Sequence, residues 1–190
     1  NAFTEFYNCK NGSAEDLLPL YYSDPSYAIP IRKSKDEDYP KSINDNLGSC
    51  DKPYVNQNAK GFRLPESIEW EFSVRYIGKT KPSHSNYILK DGIYYTKGYS
   101  ASGDPNGNYN ASSSTLGNYA VFYDNANGST ANVKSKKPNA LGFYDMSGNV
   151  DEYCTDWNKL YENKYVVMRG GNLYCVRNAI QLGAAGGSAY

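Results

Sequence analysis

Apolar residues recur at helical spacing in only two places along the chain. Between Ala2 and Lys10, Phe3, Phe6 and Tyr7 fall at i, i+3 and i+4, and the run stops at the Asn11-Gly12 turn signal. That spacing predicts a short first helix. A second helix is predicted from Pro65, where a missing N–H costs nothing, with Ile68, Phe72 and Tyr76 recurring every four residues until Gly78 stops it. From Leu17 to Lys60 the chain is rich in Pro, Asp, Ser and Lys with few periodic positions, so loops are expected there, with one short strand near Tyr27 to Ile31.

Between Tyr99 and Lys137 lies a Gly/Asn/Ser-rich tract punctuated by Asp104-Pro105-Asn106-Gly107-Asn108 and Asn125-Ala126-Asn127-Gly128. A loop of that length inside a compact domain is normally functional or held by an ion. Asp104, Asn106 and Asn108 have the alternate spacing of a calcium loop, but Tyr109 replaces the required Gly and Thr115 stands where a bidentate acid belongs. A turn is therefore expected. The pattern as a whole predicts one α+β domain over residues 1–190, with two helices, small antiparallel sheets and much irregular loop.

Composition narrows the functions. Twenty tyrosines stand against six phenylalanines, more hydroxyls than a core can use. Two readings stay open: rings displayed at a binding surface, where tyrosine gives a large rigid contact at low entropic cost, or rings lying flat on a loop-rich scaffold. Lys plus Arg equals Asp plus Glu at 20 each, so no long-range field gathers nucleic acid or anionic membrane. Apolar runs such as Tyr165 to Met168 fall far short of the roughly 20 residues of a membrane helix. Cys9, Cys50, Cys154 and Cys175 are too widely spaced for a zinc ribbon, and His84, the only histidine, reads as a solvated side chain in a Ser/Asn loop.

Three segments carry a resemblance. GFRLPESIEWEFSVR (Gly61 to Arg75), PNALGFYDMSGNVDEYCTDW (Pro138 to Trp157) and VVMRGGN (Val166 to Asn172) are similar, in order and spacing, to the signature of the formylglycine-generating, sulfatase-modifying enzyme family. The resemblance spans nearly the whole chain and implies a C-type-lectin-like fold. Glu69, Trp70, Arg75 and the Asp145 to Asn149 turn are expected to form a buried polar lattice, and Gly148, Gly170 and Gly171 mark backbone of positive φ or close approach.

In that family a cysteine pair following RGGS binds copper. Cys175 falls near the first of the pair, but the position five residues on is Ile180, so two-thiolate copper coordination is not expected and neither is catalysis. The family also implies a calcium ion. Carried over residue by residue, its ligands would be the carbonyls of Ser147, Gly148 and Val150 with the carboxylate of Glu152. The alternative is that Glu152 simply accepts from nearby N–H groups.

The variable proteins of diversity-generating retroelements, treponemal ones among them, use the same scaffold with a diversified C-terminal segment. Adenine-specific mutagenesis of their AAC-type codons cannot produce Lys, Glu, Gln, Met or Trp. From Asn172 to Tyr190 only Gln181 belongs to that set, against 29 such residues in the chain and about three expected in proportion. The resemblance thus implies a non-catalytic, ligand-binding domain at the cell surface or outside the cell; the alternatives are a sulfatase-modifying oxidase and a structural domain of the cell envelope. In the first of these the protein or glycan ligand would meet Asn172, Leu173, Tyr174, Cys175, Arg177, Asn178, Ile180 and Tyr190. Val176, Ala179 and Leu182 are expected in the core.

Overall fold

The computed structural model describes residues 18–31, 53–59, 62–97, 100–105, 113–157 and 165–189. The predicted first helix, Ala2 to Lys10, lies outside the described residues. The chain divides into two compact units, Asn1–Leu64 with Ala189–Tyr190, and Pro65–Ser188. In the first, β1 (Tyr21–Tyr22) pairs antiparallel with β2 (Tyr54–Val55). The strand expected near Tyr27 to Ile31 is reduced to one bridge, Tyr22 to Pro30. Proline has no N–H to extend a ladder. Asp24 instead organises these residues as a turn, accepting backbone N–H bonds from Ser26, Ala28 and Ile29.

The second unit opens with α1 (Ser67–Arg75). Its first turn is satisfied on both sides: the Glu69 carboxylate accepts from the Glu66 N–H at 2.9 Å, and Asp156 accepts from the Ser67 N–H. The helix is real, but its buried face is not the one that the four-residue spacing suggests. Ile68 is 67% and Phe72 54% exposed, while Trp70 and Val74 are buried. A nine-residue helix carrying apolar residues on two sides leaves the choice of face to tertiary packing. Tyr76 belongs to the next element, β3 (Tyr76–Gly78).

β3 joins β4 (Tyr87–Lys90) and β5 (Ile93–Thr96) in an antiparallel sheet of order β3-β5-β4. The hairpin between β4 and β5 turns on Asp91 and Gly92, with φ of 52° and 76°. Asp-Gly at two positive-φ positions suits the right-handed twist of the flanking strands. Tyrosines pave this sheet: Tyr95 packs on Phe72 at 5.0 Å between ring centres, and Tyr87 on Tyr94 at 5.1 Å. Other tyrosines, Tyr123, Tyr153 and Tyr174, are exposed.

A short helix, α2 (Ser113–Leu116), interrupts the long Gly/Asn/Ser tract. The third sheet runs β6 (Glu152–Trp157), β7 (Tyr165–Arg169), β8 (Gly186–Ala189), and η1 (Arg177–Ile180) is a single 3₁₀ turn between β7 and β8. Three apolar clusters make the core of this unit. Trp70, Val74, Cys154, Val167 and Leu182 form one; Ala101, Leu116, Ala120, Phe122 and Ile180 a second; Val121, Ala126 and Leu173 a third.

Asparagines at turns replace regular ladders between these clusters. The Asn139 side chain accepts from the N–H groups of Leu141 and Phe143 and donates to the Ser73 carbonyl and the Ser102 hydroxyl. Asn149, at φ 68°, exchanges two side-chain bonds with Ala131, donates its N–H to Val121 at 2.7 Å and accepts from the Leu173 N–H at 3.1 Å. The expected polar lattice therefore exists with Trp70, Arg75 and Asn149 among its members as expected, and with one expected member, Glu69, outside it. Glu69 is an exposed residue bonded at the helix start, and Glu71, Arg169 and the asparagines do the cross-linking.

Gly148 shows how closely the segments approach. A Cβ there would lie 1.9 Å from the Val121 carbonyl oxygen, at a φ of 74°. Gly148→Ala is expected to cost on the order of 4 kcal/mol, since backbone must move. Gly142→Ala, at φ 80° with nothing within 4 Å, is expected to cost only about 1–2 kcal/mol. Urea denaturation of the two variants checks the difference.

Candidate ligand-binding surface

β7 ends at Arg169, and Gly170 and Gly171 follow with φ of 83° and 70°. These angles reverse the chain, and Gly171 has no room for a side chain because a Cβ would meet the Ala179 carbonyl oxygen at 2.8 Å. The segment beyond folds back over the body as a loop with local rules. Asn172 accepts from the Tyr174 N–H at 2.9 Å and donates from its amide to Asp151, while the Cys175 N–H closes a turn onto the Asn172 carbonyl at 3.0 Å.

Three residues pin this segment, one in each core cluster: Leu173 with Val121 and Ala126, Ile180 with Leu116 and Phe122, Leu182 with Trp70 and Val74. Leu182 is buried as expected. Leu173 and Ile180, assigned from sequence to the ligand surface, are instead core residues, and Ile180 is only 1% exposed. Val176 and Ala179, assigned to the core, are exposed. Ile180, the last residue of η1, turns into the core, while Val176 and Ala179 stay outside. Tyr190 lies outside the described residues.

What remains outside is a compact patch. Tyr174 is 70% exposed, and Val176, Arg177, Asn178 and Ala179 are exposed beside it. Sequence reasoning missed its second half. The Tyr123 N–H donates to the Cys175 carbonyl at 3.0 Å, and Asp124 accepts from Arg177 at 2.8 Å and 3.0 Å, so exposed Tyr123 and Asp124 adjoin the segment. Only their place in the tyrosine- and asparagine-rich tract hinted at this. An exposed pair of that kind orients Arg177 more than it stabilises the fold.

The thiols differ. Cys154 is wholly buried, and burial pushes its pKa up to about 11, which removes it from thiolate chemistry at neutral pH. Cys175 is half-buried, accepts from the Asn172 N–H at 3.4 Å and approaches Asn172 Oδ1 at 3.7 Å. Among the described residues no three His, Cys, Asp or Glu side chains gather around a common point.

Ser147, Gly148, Val150 and Glu152 share the tight turn leading into β6. Ser147 Oγ accepts from the Ser102 N–H at 3.0 Å, and the Gly148 carbonyl accepts from the Val150 N–H at 2.9 Å. The Glu152 carboxylate accepts from the Trp70 indole N–H. Burial raises its pKa above the ordinary value of 4.5, against the lowering effect of that bond, and the Asp145 charge raises it further. Asp145 Oδ1 is itself buried with no hydrogen-bond partner.

Comparison with known proteins places this geometry. The profile of the sulfatase-modifying factor enzyme 1-like domain matches residues 25–187. The chain belongs to that family. A curated relative is the chaperone protein LppX of Paenibacillus barcinonensis, 28% identical over 90% of this chain and 56% of its own length. Treponema denticola variable protein 1 superposes with a TM-score of 0.61 at 26% identity, over 90% of this chain and 57% of that one. CarF matches with a TM-score of 0.50 at 20% identity, over 98% of this chain and 58% of its own, a likeness of fold alone. The chain thus spans about half the length of the relatives it matches. Its fold is the C-type-lectin-like fold of this sulfatase-modifying family, and the likeness to the variable protein fits a non-catalytic use of that scaffold. No helix among the described residues is long and apolar enough to cross a membrane.

The Glu152 shift carries a pH consequence. A carboxyl whose pKa is raised by folding holds its proton more tightly in the native state, so its contribution to stability is full below the ordinary value and is lost as pH rises through the raised one. In chelator-treated protein, stability is expected to fall as pH climbs above 4.5 in this window, and Glu152→Gln, whose amide oxygen still accepts from Trp70, is expected to flatten that fall. Denaturation midpoints across the pH series measure it.

Proposed function

We propose that this domain is a non-catalytic ligand-binding module that presents its C-terminal segment, as a diversified surface, to a protein or glycan at the cell surface or outside the cell. One observation carries the reading. The segment after Gly171 is fixed at three core positions, Leu173, Ile180 and Leu182, while Tyr174, Val176, Arg177, Asn178 and Ala179 between them face outward. A surface anchored in this way accepts changes in Tyr174, Val176, Arg177 and Asn178 without changes in the core. The position of the family's second copper-binding cysteine is taken by Ile180, an apolar anchor, which removes two-thiolate copper coordination from this reading.

The same reading gives the turn before β6 a calcium ion. Ser147, Gly148 and Val150 would offer carbonyls and Glu152 a carboxylate, hard oxygen ligands of the kind calcium takes. A desolvated Glu152 and a buried, unpartnered Asp145 oxygen make an environment that a divalent cation would relieve. Added calcium is expected to raise the melting temperature of the native protein at neutral pH and to leave Glu152→Gln unmoved. An equal rise in both would remove Glu152 from the ligand set.

Substitutions separate display from anchoring. Tyr174→Ala is expected to leave stability within about 0.5 kcal/mol, whereas Ile180→Ala is expected to cost about 2–5 kcal/mol. Sibling loci from related strains test diversification: changes after Gly171 confined to adenine positions, at codons for the exposed residues, are expected, and scattered changes would refute it. Incubation of the copper-treated protein with a cysteine-containing sulfatase peptide is expected to yield no formylglycine; turnover would overturn the non-catalytic reading.

A further inference from the structure

The outward side of α1 is apolar, and it continues onto the neighbouring sheet. Ile68 and Phe72, one turn apart on the helix, are 67% and 54% exposed. The Phe72 ring packs on Tyr95 of β5 at 5.0 Å, and the register of β4 with β5 sets Ile88, 44% exposed, opposite Tyr95 on the same sheet face. Tyr76 of β3 flanks Tyr95 on its other side, with ring centres 6.1 Å apart. Ile68, Phe72 and Ile88, with Tyr95 as their floor, therefore form a stripe from the helix to the edge strand β4. It shares no residue with the exposed patch after Gly171. Apolar side chains exposed singly need no explanation, but a row of them in the same unit marks a contact surface.

The charges around the stripe decide what fits it. On the helix side the exposed groups are acidic: Glu66 and Glu69 stand at the helix start beside Ile68, while Glu71 and Arg75 answer each other at 2.8 Å. On the sheet side they are basic. Lys90 lies two residues beyond Ile88, and Lys97 two beyond Tyr95, where its N–H still bonds across to the Asn86 carbonyl. Alternation along a strand puts both lysines on the face of the stripe. Both are exposed, and neither has an ion pair among the described residues. Asp91 sits beyond the strand, in the hairpin turn.

A stripe with acids along one half and lysines along the other is complementary to itself turned about a two-fold axis. We propose that it binds a second copy of this chain, with α1 of each copy laid against β4 of the other, apolar stripe on apolar stripe, and Glu66 and Glu69 toward the lysines of the opposite copy. The charges specify this orientation, because helix laid on helix would set acid against acid. A partner of a single charge sign, an anionic membrane included, would be repelled by one half of the stripe. The covered surface is small, so the dimer is weak, with a dissociation constant on the order of 10–100 µM. The inference is independent of what the C-terminal segment binds.

Sedimentation velocity of the full chain, at concentrations reaching about tenfold to either side of that range, is expected to show a monomer–dimer equilibrium. Ile68→Asp places a charge in the middle of the contact and is expected to weaken the dimer by roughly tenfold or more, with the thermal melt unchanged because the residue is exposed. Charge reversal tests the orientation. A chain carrying Glu66→Lys and Glu69→Lys, and a chain carrying Lys90→Glu and Lys97→Glu, are each expected to be monomeric alone. Mixed, they are expected to form a one-to-one heterodimer, since both helix-to-sheet contacts then regain opposite charges. A native chain that stays monomeric at every concentration would overturn the inference, whatever other protein the stripe might meet. So would a dimer that Ile68→Asp leaves intact, or reversed chains that fold and stay apart when mixed.

Discussion

The structure depends on how one buried cation, Arg169, is neutralised. Its guanidinium donates to Ser67 Oγ at 2.8 Å and 2.6 Å, to Glu71 at 3.1 Å and to the carbonyls of Gly183 and Ala184 at 3.3 Å and 3.2 Å, and it lies 5.7 Å from the centre of the Trp70 ring. A buried charge is tolerated only when its donors are matched, and here the partners come from α1 and from the loop before β8. The last residue of β7 therefore fixes two elements distant in sequence. In a unit whose strands are short and whose loops are long, such a hub does work that a continuous ladder does elsewhere.

The consequences reach the surface through Gly170 and Gly171. Once Arg169 is fixed, the reversal is made with backbone at positive φ at both glycines and with no room for a side chain at Gly171, and the segment is delivered onto the three clusters in a set register. Asn149 completes the delivery by accepting from the Leu173 N–H while its side chain grips Ala131. Trp70, packed in the core cluster with Leu182, also donates to Glu152, so the turn before β6 and the C-terminal segment share one support. Disturbance at the turn has a short physical route to the patch, through Gly148 and Gly170, which are bonded at 2.9 Å.

Much of this was legible in the residues. The motifs around Trp70, Asn149 and Arg169 announced the fold, Pro65 and Gly78 bracketed the helix, and the glycine pair marked the reversal. The Asp91-Gly92 hairpin carries a local signal of its own, two residues that tolerate positive φ between β-prone runs. Other features were not local. Which side of α1 is buried depends on Leu182 and Cys154, far along the chain, so the spacing of Ile68 and Phe72 misleads. Leu173 and Ile180 look like surface residues in a variable segment because nothing nearby in sequence shows that Val121 or Phe122 awaits them. The role of Tyr123 and Asp124 is a contact across about fifty residues, visible only once the chain is folded.

The anchoring pattern also bears on how a surface can change and still bind. A flexible segment loses roughly 1–2 kcal/mol of backbone entropy per residue when a ligand orders it, which subtracts directly from affinity. Burying Leu173, Ile180 and Leu182, each worth about 1.5–3 kcal/mol of apolar transfer, meets that cost during folding rather than during binding. Positions between the anchors are then ordered whatever side chains they carry, because the Asn172 turn and η1 are closed by backbone and Asn172 contacts. The isoleucine at the position of the family's second cysteine is, on this reading, the same anchoring applied in the second cluster: an anchor where chemistry would otherwise need a reactive group. Order without dependence on the displayed residue is the physical condition for a binding surface that can be rewritten.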